Sequence, residues 1–258
     1  MKKFKILCWN VNGVRAAQRH SFIEWLDKES PNILCLQETK ATPDQLDAGL
    51  REPGNYQVYW NYPERKGYGG VATFTKGKPT GIQTSIGVAE FDVEGRVIIS
   101  EYPEFTLFNV YFPNGKKDAI RLKYKMDFYD AFFDFVEPMR QRGDRLIICG
   151  DFNTAHKEID IARPKENEKI SGFLPMERAW LDKLVAHGYV DTFRHFHPEP
   201  DQYTWWDYKT KARERNVGWR LDYFFVTENL LPFINEAFTL PEVMGSDHCP
   251  IGLILGIP

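Results

Sequence analysis

Four polar segments each touch a run of apolar residues, and each carries acids or carboxamides. They are Trp9-Asn10-Val11-Asn12-Gly13, Leu36-Gln37-Glu38-Thr39-Lys40, Cys149-Gly150-Asp151-Phe152-Asn153 and Gly245-Ser246-Asp247-His248-Cys249-Pro250. A glutamate where an apolar strand leaves the core suits magnesium, a hard cation that takes one or two carboxylates and keeps several waters. Alternation puts Asp151 and Asn153 on one face of an extended chain. A carboxylate beside a carboxamide can take a proton from water while the amide holds that water. Asp247 and His248, being adjacent, point to opposite sides and serve different partners. His248 can donate to a phosphoryl oxygen if a carboxylate fixes its tautomer, and Asp222 is the candidate for that acid. Each segment also has a plain structural reading, as a turn at a strand end. The joint placement carries the argument: four such ends, spread along the chain, can meet at one edge of a domain.

Two further stretches extend the set. Asn109-Val110-Tyr111-Phe112-Pro113-Asn114-Gly115 ends a strand with a hydroxyl and an amide, both able to hydrogen-bond phosphate. Tyr203-Thr204-Trp205-Trp206-Asp207-Tyr208 precedes Lys209, Lys211, Arg213 and Arg215, then Gly218-Trp219-Arg220. Aromatics interleaved with cations suit a sugar or base pocket flanked by phosphates. Arg121, Lys123 and Lys125 form a second basic cluster. The formal net charge is only −3, so bulk charge does not signal a polyanion, but local patches still hold a phosphate backbone. The competing reading of these patches is a solvated face.

The elements that must position these groups are strand-rich. Apolar runs read as strands at Phe4–Asn10, Ile33–Gln37, Tyr56–Tyr62, Gly70–Lys76, Arg96–Tyr102, Thr106–Phe112 and Arg145–Phe152. Later strands are read at Val190–Arg194, Leu221–Thr227 and Ile251–Leu255. Ser21-x-x-Glu24 and Thr42-x-x-Gln45 have capping-box spacing, with Pro43 fit for a first helical position. Leu122, Met126, Tyr129, Phe133 and Val136 mark a long helix over 120–142, with Pro138 ending or kinking it. Pro175–His187 reads as a helix with Gly188 as its C-terminal cap. Several neighbouring strands lack a helix between them, which disfavours a doubly wound parallel sheet. The pattern favours face-to-face sheets with helices outside, in one domain. The polar segment 155–174 is long enough to be a functional or disordered loop.

Composition sets limits. The 258 residues lie near the top of what one core supports, and one domain over 1–258 is expected. No run of about 18 apolar residues exists, so no membrane helix or membrane partner is expected. The N-terminal apolar run is short and leads into polar residues, unlike a signal peptide, which predicts an intracellular, cytoplasmic protein. Cys8, Cys35 and Cys149 lie in apolar runs, and no CxxC or zinc spacing occurs, so no disulfide is expected.

Taken in order, WNVNG, LQETK, GYGGVA, NVYFPNG, GDFNTAH, GWRLDYF and GSDHCPI resemble the signatures of exonuclease III-type abasic-site endonucleases. These belong to the endonuclease/exonuclease/phosphatase superfamily. The resemblance runs from Lys5 to Leu255. It implies an α/β fold (α+β), a four-layered α/β sandwich of two mixed β-sheets with outer helices. It implies a monomeric, Mg²⁺-dependent enzyme, with Mn²⁺ as a substitute, acting on double-stranded DNA with abasic or damaged nucleotides. Cleavage 5′ to the abasic site would leave a 3′-hydroxyl and a 5′-deoxyribose phosphate. A 3′→5′ exonuclease activity, and incision beside deaminated bases such as uracil, go with it.

By the same resemblance Glu38, Asn10 and Asp247 hold the metal. Asp151 and Asn153 handle the attacking water, His248 with Asp222 stabilises phosphate oxygens, and Tyr111 and Asn114 bind the scissile phosphate. Lys116, Lys125, Ser171, Leu174, Trp205, Lys209, Trp219 and Arg220 are expected to contact DNA. Many relatives have an acid at the position of Asn12, and its amide here favours one metal over two. Two competing readings are a superfamily phosphatase for inositol phosphates or phospholipids and a catalytically silent DNA-binding module. The lack of a membrane element opposes the first, and the number of acids opposes the second.

Overall fold

The computed structural model describes residues 2–65 and 67–257. Its strands are β1 (Lys2–Asn10), β2 (Ile33–Gln37), β3 (Gln57–Asn61), β4 (Val71–Thr75), β5 (Gly81–Gln83), β6 (Val97–Glu101) and β7 (Thr106–Tyr111). They continue with β8 (Leu146–Asp151), β9 (Tyr189–Asp191), β10 (Trp205–Trp206), β11 (Gly218–Trp219), β12 (Asp222–Thr227), β13 (Ile234–Thr239) and β14 (Ile251–Ile257). One six-stranded sheet has the order β13-β14-β1-β2-β4-β3, the other β5-β6-β7-β8-β12-β9. Each is mixed, because β1 pairs in parallel with β2, and β7 with β8, while the other neighbours run antiparallel. The expected fold class is the one observed.

Alternation explains the layers. In β1, Phe4, Ile6 and Cys8 face the second sheet, where Leu107, Ile147, Cys149 and Phe224 meet them. Leu7 and Trp9 face the other way, onto Phe22 and Leu26 of the helix Phe22–Glu29. On the far side, Phe108, Val110 and Ile148 pack on Phe128, Tyr129 and Phe132 of the helix Ala119–Gln141, joined by Trp180 and Leu184. Central strands buried on both faces read as unbroken apolar runs, hence KILCW and LIICG. Cys8, Cys35, Cys149 and Cys249 are buried free thiols. Among the described residues no helix is long and apolar enough to cross a membrane.

The strand ends supply the geometry of one edge. Asn10 lies opposite Gln37, Tyr111 opposite Asp151, and Asp151 opposite Asp222. Parallel pairing therefore puts the C-terminal ends of four strands beside the first residue of antiparallel β12. Close approach within the second sheet depends on Gly150, at φ +147°. A Cβ there would stand 1.8 Å from the Val110 carbonyl oxygen.

Several local expectations differ from the structure. The strand expected over Val190–Arg194 stops at Asp191, whose carboxylate caps a new helix, Thr192–Phe196, by accepting from the Arg194 amide. Ser21 precedes its helix in a left-handed conformation (φ 63°) and makes no side-chain cap. The Thr42–Gln45 pattern does form its bond, Gln45 Oε1 accepting from the Thr42 amide, but frames only a 3-10 turn. Strands β5, β10, β11 and β13 carry little periodicity and were not anticipated. The helix Ala119–Gln141 runs one turn past Pro138 before it ends.

Two cations expected on the DNA face belong to the core. Lys125 is fully buried and bonds Glu177 Oε1 at 2.6 Å, the Asn153 carbonyl at 2.7 Å and Thr154 Oγ1 at 2.8 Å. Arg220 is buried between Asp160 (2.8 Å) and Asp191 (2.6 Å), and Arg194 shares Asp160. Lys125 uses all three of its ammonium donors in these bonds, and Arg220 is too buried to face a duplex. Both residues have structural roles here. Burial would raise the Asp160 carboxyl, but Arg220 and Arg194 bring it down to about 2.

A folded-state pKa below the unfolded value means that the ionised Asp160 stabilises the protein above the ordinary carboxylate range. That stability is lost as pH falls through about 2. Asp160→Asn is expected to lower unfolding stability by roughly 3 kcal/mol at pH 7, because the buried Arg220 and the half-buried Arg194 guanidiniums lose an anionic partner. Urea denaturation should show the gap to wild type narrowing as pH falls from about 4 towards 2.

Candidate active site

At the shared edge the backbone turns sharply just beyond the paired residues. Asn12, Glu38 and Asn153 adopt left-handed conformations, with φ of 47°, 50° and 51°. Non-glycine residues reach this region rarely, and such strain collects at functional sites. Here Asn12 meets Asp247 and Lys40, Glu38 meets Asn10 and Lys40, and Asn153 meets Asp151 and Asn114. The segment before β14 is fastened to β1: Ser246 Oγ donates to the Asn10 carbonyl at 2.7 Å, and Trp9 Nε1 donates to the His248 carbonyl at 3.1 Å.

Asn10 stands at the centre. Its Nδ2 donates to Glu38 Oε1 at 3.1 Å and to Asp151 Oδ2 at 2.8 Å, joining one sheet to the other. Asp151 also accepts from the Asn153 amide (2.8 Å) and from Asn153 Nδ2 (3.1 Å). Asn153 Oδ1 in turn accepts from Asn114 Nδ2 at 2.8 Å. His248 presents Nδ1 to Asp222 Oδ2 at 2.8 Å and Nε2 towards Asp151 Oδ2 at 3.9 Å. Asp222 is gripped by Thr204, whose hydroxyl donates to Oδ2 at 2.6 Å. Asp247 does face away from His248, accepting from Asn12 Nδ2 (2.9 Å) and Trp205 Nε1 (3.0 Å). Tyr111 is buried at the same edge beneath the Arg96 guanidinium, 4.8 Å from its ring centroid.

The charges have physical consequences. Burial, with Asp222 and Glu38 close by, pushes Asp151 up to about 7 despite the nearby imidazolium. Burial opposes charge on His248, but Asp222, Asp151 and Asp247 outweigh it and raise the imidazole to about 10. It is therefore a cation at neutral pH, with Nε2–H free to donate. Burial would also raise Glu38, but Lys40, 2.7 Å from its Oε2, holds it below the usual range.

Asp151, Asp222 and His248 form a tight group of possible ligand atoms, all within 4.8 Å of one another. A protonated imidazole bonded to its carboxylate is a poor metal ligand, so that group is better read as acid–base machinery. Glu38 and Asn10 each carry a hard oxygen and are joined through Asn10 Nδ2, and Asp247 is linked to Asn10 through Asn12. Burial is the main cause that raises Asp151, and the Asp222 and Glu38 carboxylates add to it; those neighbouring acids are a local excess of negative charge that a divalent cation relieves. The donor set fits such a cation.

Beside this edge, Trp205 and Trp219 meet edge to face at 88°, ring centroids 6.1 Å apart. They pack with Phe173 and Leu221 in one apolar cluster. Ser171 and Leu174 lie on the adjoining loop, pinned to Glu177 by the Ser171 hydroxyl (2.7 Å) and the Leu174 amide (3.0 Å). Lys116 reaches both indole rings, and Lys209 is exposed on the loop after Trp206. Two participants went unassigned in the sequence. Lys40 lies two residues after Glu38, a signal that was available; Thr204 reaches Asp222 across 18 positions, which no local pattern reveals.

Residues 7–248 match the model of the endonuclease/exonuclease/phosphatase family. An exodeoxyribonuclease of Bacillus subtilis is 43% identical over 255 residues, 98% of this chain and 100% of that protein. A DNA-(apurinic or apyrimidinic site) endonuclease of Dictyostelium discoideum is 41% identical over 258 residues, 99% of this chain and 71% of that one. A solved 3′ phosphatase from Neisseria, bound to a product DNA hairpin, has a TM-score of 0.90 at 28% identity, covering 98% of this chain and 100% of its own. With sequence, fold and site in agreement, the chain belongs to the endonuclease/exonuclease/phosphatase family.

Proposed function

We propose that this protein is a DNA repair nuclease that hydrolyses the phosphodiester bond 5′ to an abasic nucleotide. The observation that carries the reading is Asp151, a buried carboxylate held near pH 7 beside an imidazolium and a carboxamide. A group with that pKa takes a proton from water efficiently at neutral pH. Asn153 holds the water, and Asn114 and the Phe112 carbonyl hold Asn153. His248 donates from Nε2 to a non-bridging phosphate oxygen, while Asp222 keeps the ring oriented. Tyr111 and Asn114 would bind the same phosphate.

Glu38 and Asn10, with Asp247 alongside, would hold Mg²⁺, with Mn²⁺ as a substitute. When bound, the ion supplies Lewis-acid polarisation of the phosphate and stabilises the leaving 3′-oxygen. Collapse of the phosphorane-like transition state then leaves a 3′-hydroxyl and a 5′-deoxyribose phosphate. The Trp205–Trp219 corner supports the lesion preference, since it suits a sugar without a base, and an abasic nucleotide is the cheapest to flip. The same machinery suits a 3′-terminal phosphodiester, so 3′→5′ exonuclease activity belongs to the reading. The protein would act as one domain and one monomer within the cell.

A labelled duplex with one abasic analogue is expected to be nicked on the 5′ side with Mg²⁺ and to stay intact with chelator. An intact duplex under every divalent ion sinks the reading. Asp151→Asn should slow incision by about 10² to 10⁴-fold while lesion binding in a gel-shift assay persists; near-normal turnover would remove Asp151 from the role of base. The base acts only when ionised, so wild-type rates should fall as pH drops through an acid limb. That limb is expected at or below about 7, because a bound cation moves it downward, and it should vanish from the residual rate of Asp151→Asn.

A further inference from the structure

The corner between Trp205 and Trp219 holds a side chain of this protein. Lys116 Nζ lies 4.8 Å from the Trp205 ring centroid and 5.0 Å from that of Trp219. Two indoles meeting at 88° form a right angle, and one ammonium near both centroids occupies it. Among the described residues that ammonium makes no hydrogen bond or ion pair. The side chain is exposed as a whole, yet its charged end rests on the rings. Loss of hydration there pulls its pKa below the usual lysine value, although Asp151, Glu177, Asp207 and Asp247 lie near enough to oppose the change.

The backbone under Lys116 is fixed. Its amide donates to Asn114 Oδ1 at 2.8 Å, and Asn114 Nδ2 donates to Asn153 Oδ1 at 2.8 Å. At Gly115 a Cβ would stand 2.6 Å from Ser171 Oγ, so the chain is wedged against the 171–174 loop. What can move is the flexible stem of Lys116. A cation on aromatic faces with no anion of its own is held weakly, by about two- to thirtyfold in an equilibrium constant. A phosphate offers it a stronger, charge-assisted partner.

We propose that Lys116 is the gate of the aromatic corner: it closes the corner in the free protein and moves onto a DNA phosphate when a flipped sugar takes its place. This rests on the nuclease reading above and deepens it to substrate selection. An abasic sugar has to displace only the ammonium. A nucleotide that still carries a base needs the whole stem to withdraw, so Lys116 sets how strictly the enzyme prefers abasic sites.

The test compares incision of an abasic-analogue duplex with that of a uracil-containing duplex, by wild type, Lys116→Ala, Lys116→Met and Lys116→Arg. Loss of a phosphate contact weakens every duplex alike, so it cancels in the ratio of the two rates. Lys116→Ala is expected to shift that ratio about tenfold towards the base-bearing duplex. Lys116→Arg should keep the wild-type ratio, and Lys116→Met, which keeps the stem, should fall between. Acrylamide quenching of tryptophan emission gives a second reading without DNA: Lys116→Ala should be quenched more than wild type, because the corner opens. An unchanged ratio with unchanged quenching overturns the gate and leaves Lys116 as a phosphate contact only. If wild type fails to cut the abasic duplex, the nuclease reading fails, and unchanged quenching would still overturn closure of the corner by Lys116.

Discussion

Two carboxamides buried between the sheets fix everything at the edge above them. Gln37, the last residue of β2, donates from Nε2 to Asn109 Oδ1 on β7 at 2.7 Å, and Asn109 Nδ2 donates back to the Ala72 carbonyl at 2.8 Å. Both residues are fully buried. Apolar packing between sheets is non-directional and tolerates sliding, whereas a satisfied polar pair inside a core allows one alignment. One residue beyond Gln37 stands Glu38, and two beyond Asn109 stands Tyr111. The Asn10–Asp151 bond repeats the clasp at the site edge, so the distance across the site is set by hydrogen bonds at two levels.

Given that frame, the chemistry follows from a crowd of acids with too few cations. Asp151, Asp222, Glu38 and Asp247 converge, while His248 and Lys40 supply the nearby positive charge. Burial amplifies each interaction, which is why the same imidazole is driven to about 10 while Asp151 rises to about 7. Their pKa values are pushed apart in the order that the proposed acid–base chemistry on a phosphate would use, a base with a near-neutral pKa beside a protonated donor. The excess negative charge would also favour a divalent cation there. Electrostatics thus serve proton transfer and metal affinity at once.

Much of this was legible in the chain because strand ends are written locally. Ile33–Gln37 was read to the residue, and the neighbouring central strands to within a residue or two, since an apolar run that meets an acid or amide marks both the strand and its exit. The polar cores of all four segments meet at one edge. What failed was information that sequence does not hold locally. Lys125 and Arg220 look like surface cations until Glu177, Asp160 and Asp191 arrive from distant parts of the chain. Val190–Arg194 has strand-like composition, but one capping carboxylate at Asp191 turned its second half into a helix. Thr204 gives no sign of its bond to Asp222.

The division of labour also explains how one fold can serve different phosphoesters. On the proposed reading, the groups for proton transfer, phosphate binding and metal binding sit at or just beyond strand ends aligned by the Gln37–Asn109 clasp. On the proposed reading the substrate's sugar and its neighbours would meet a different set: the 171–174 loop, the Trp205 and Trp219 rings, and Lys116. These are tied to the reaction centre by only a few bonds, such as Trp205 to Asp247 and Asn114 to Asn153. The loop itself hangs on Glu177, whose carboxylate accepts from Ser171, Gly172 and Leu174 while its charge is matched by buried Lys125. A cation hidden in the core therefore holds the 171–174 loop in place, and on the proposed reading it would shape recognition without touching DNA.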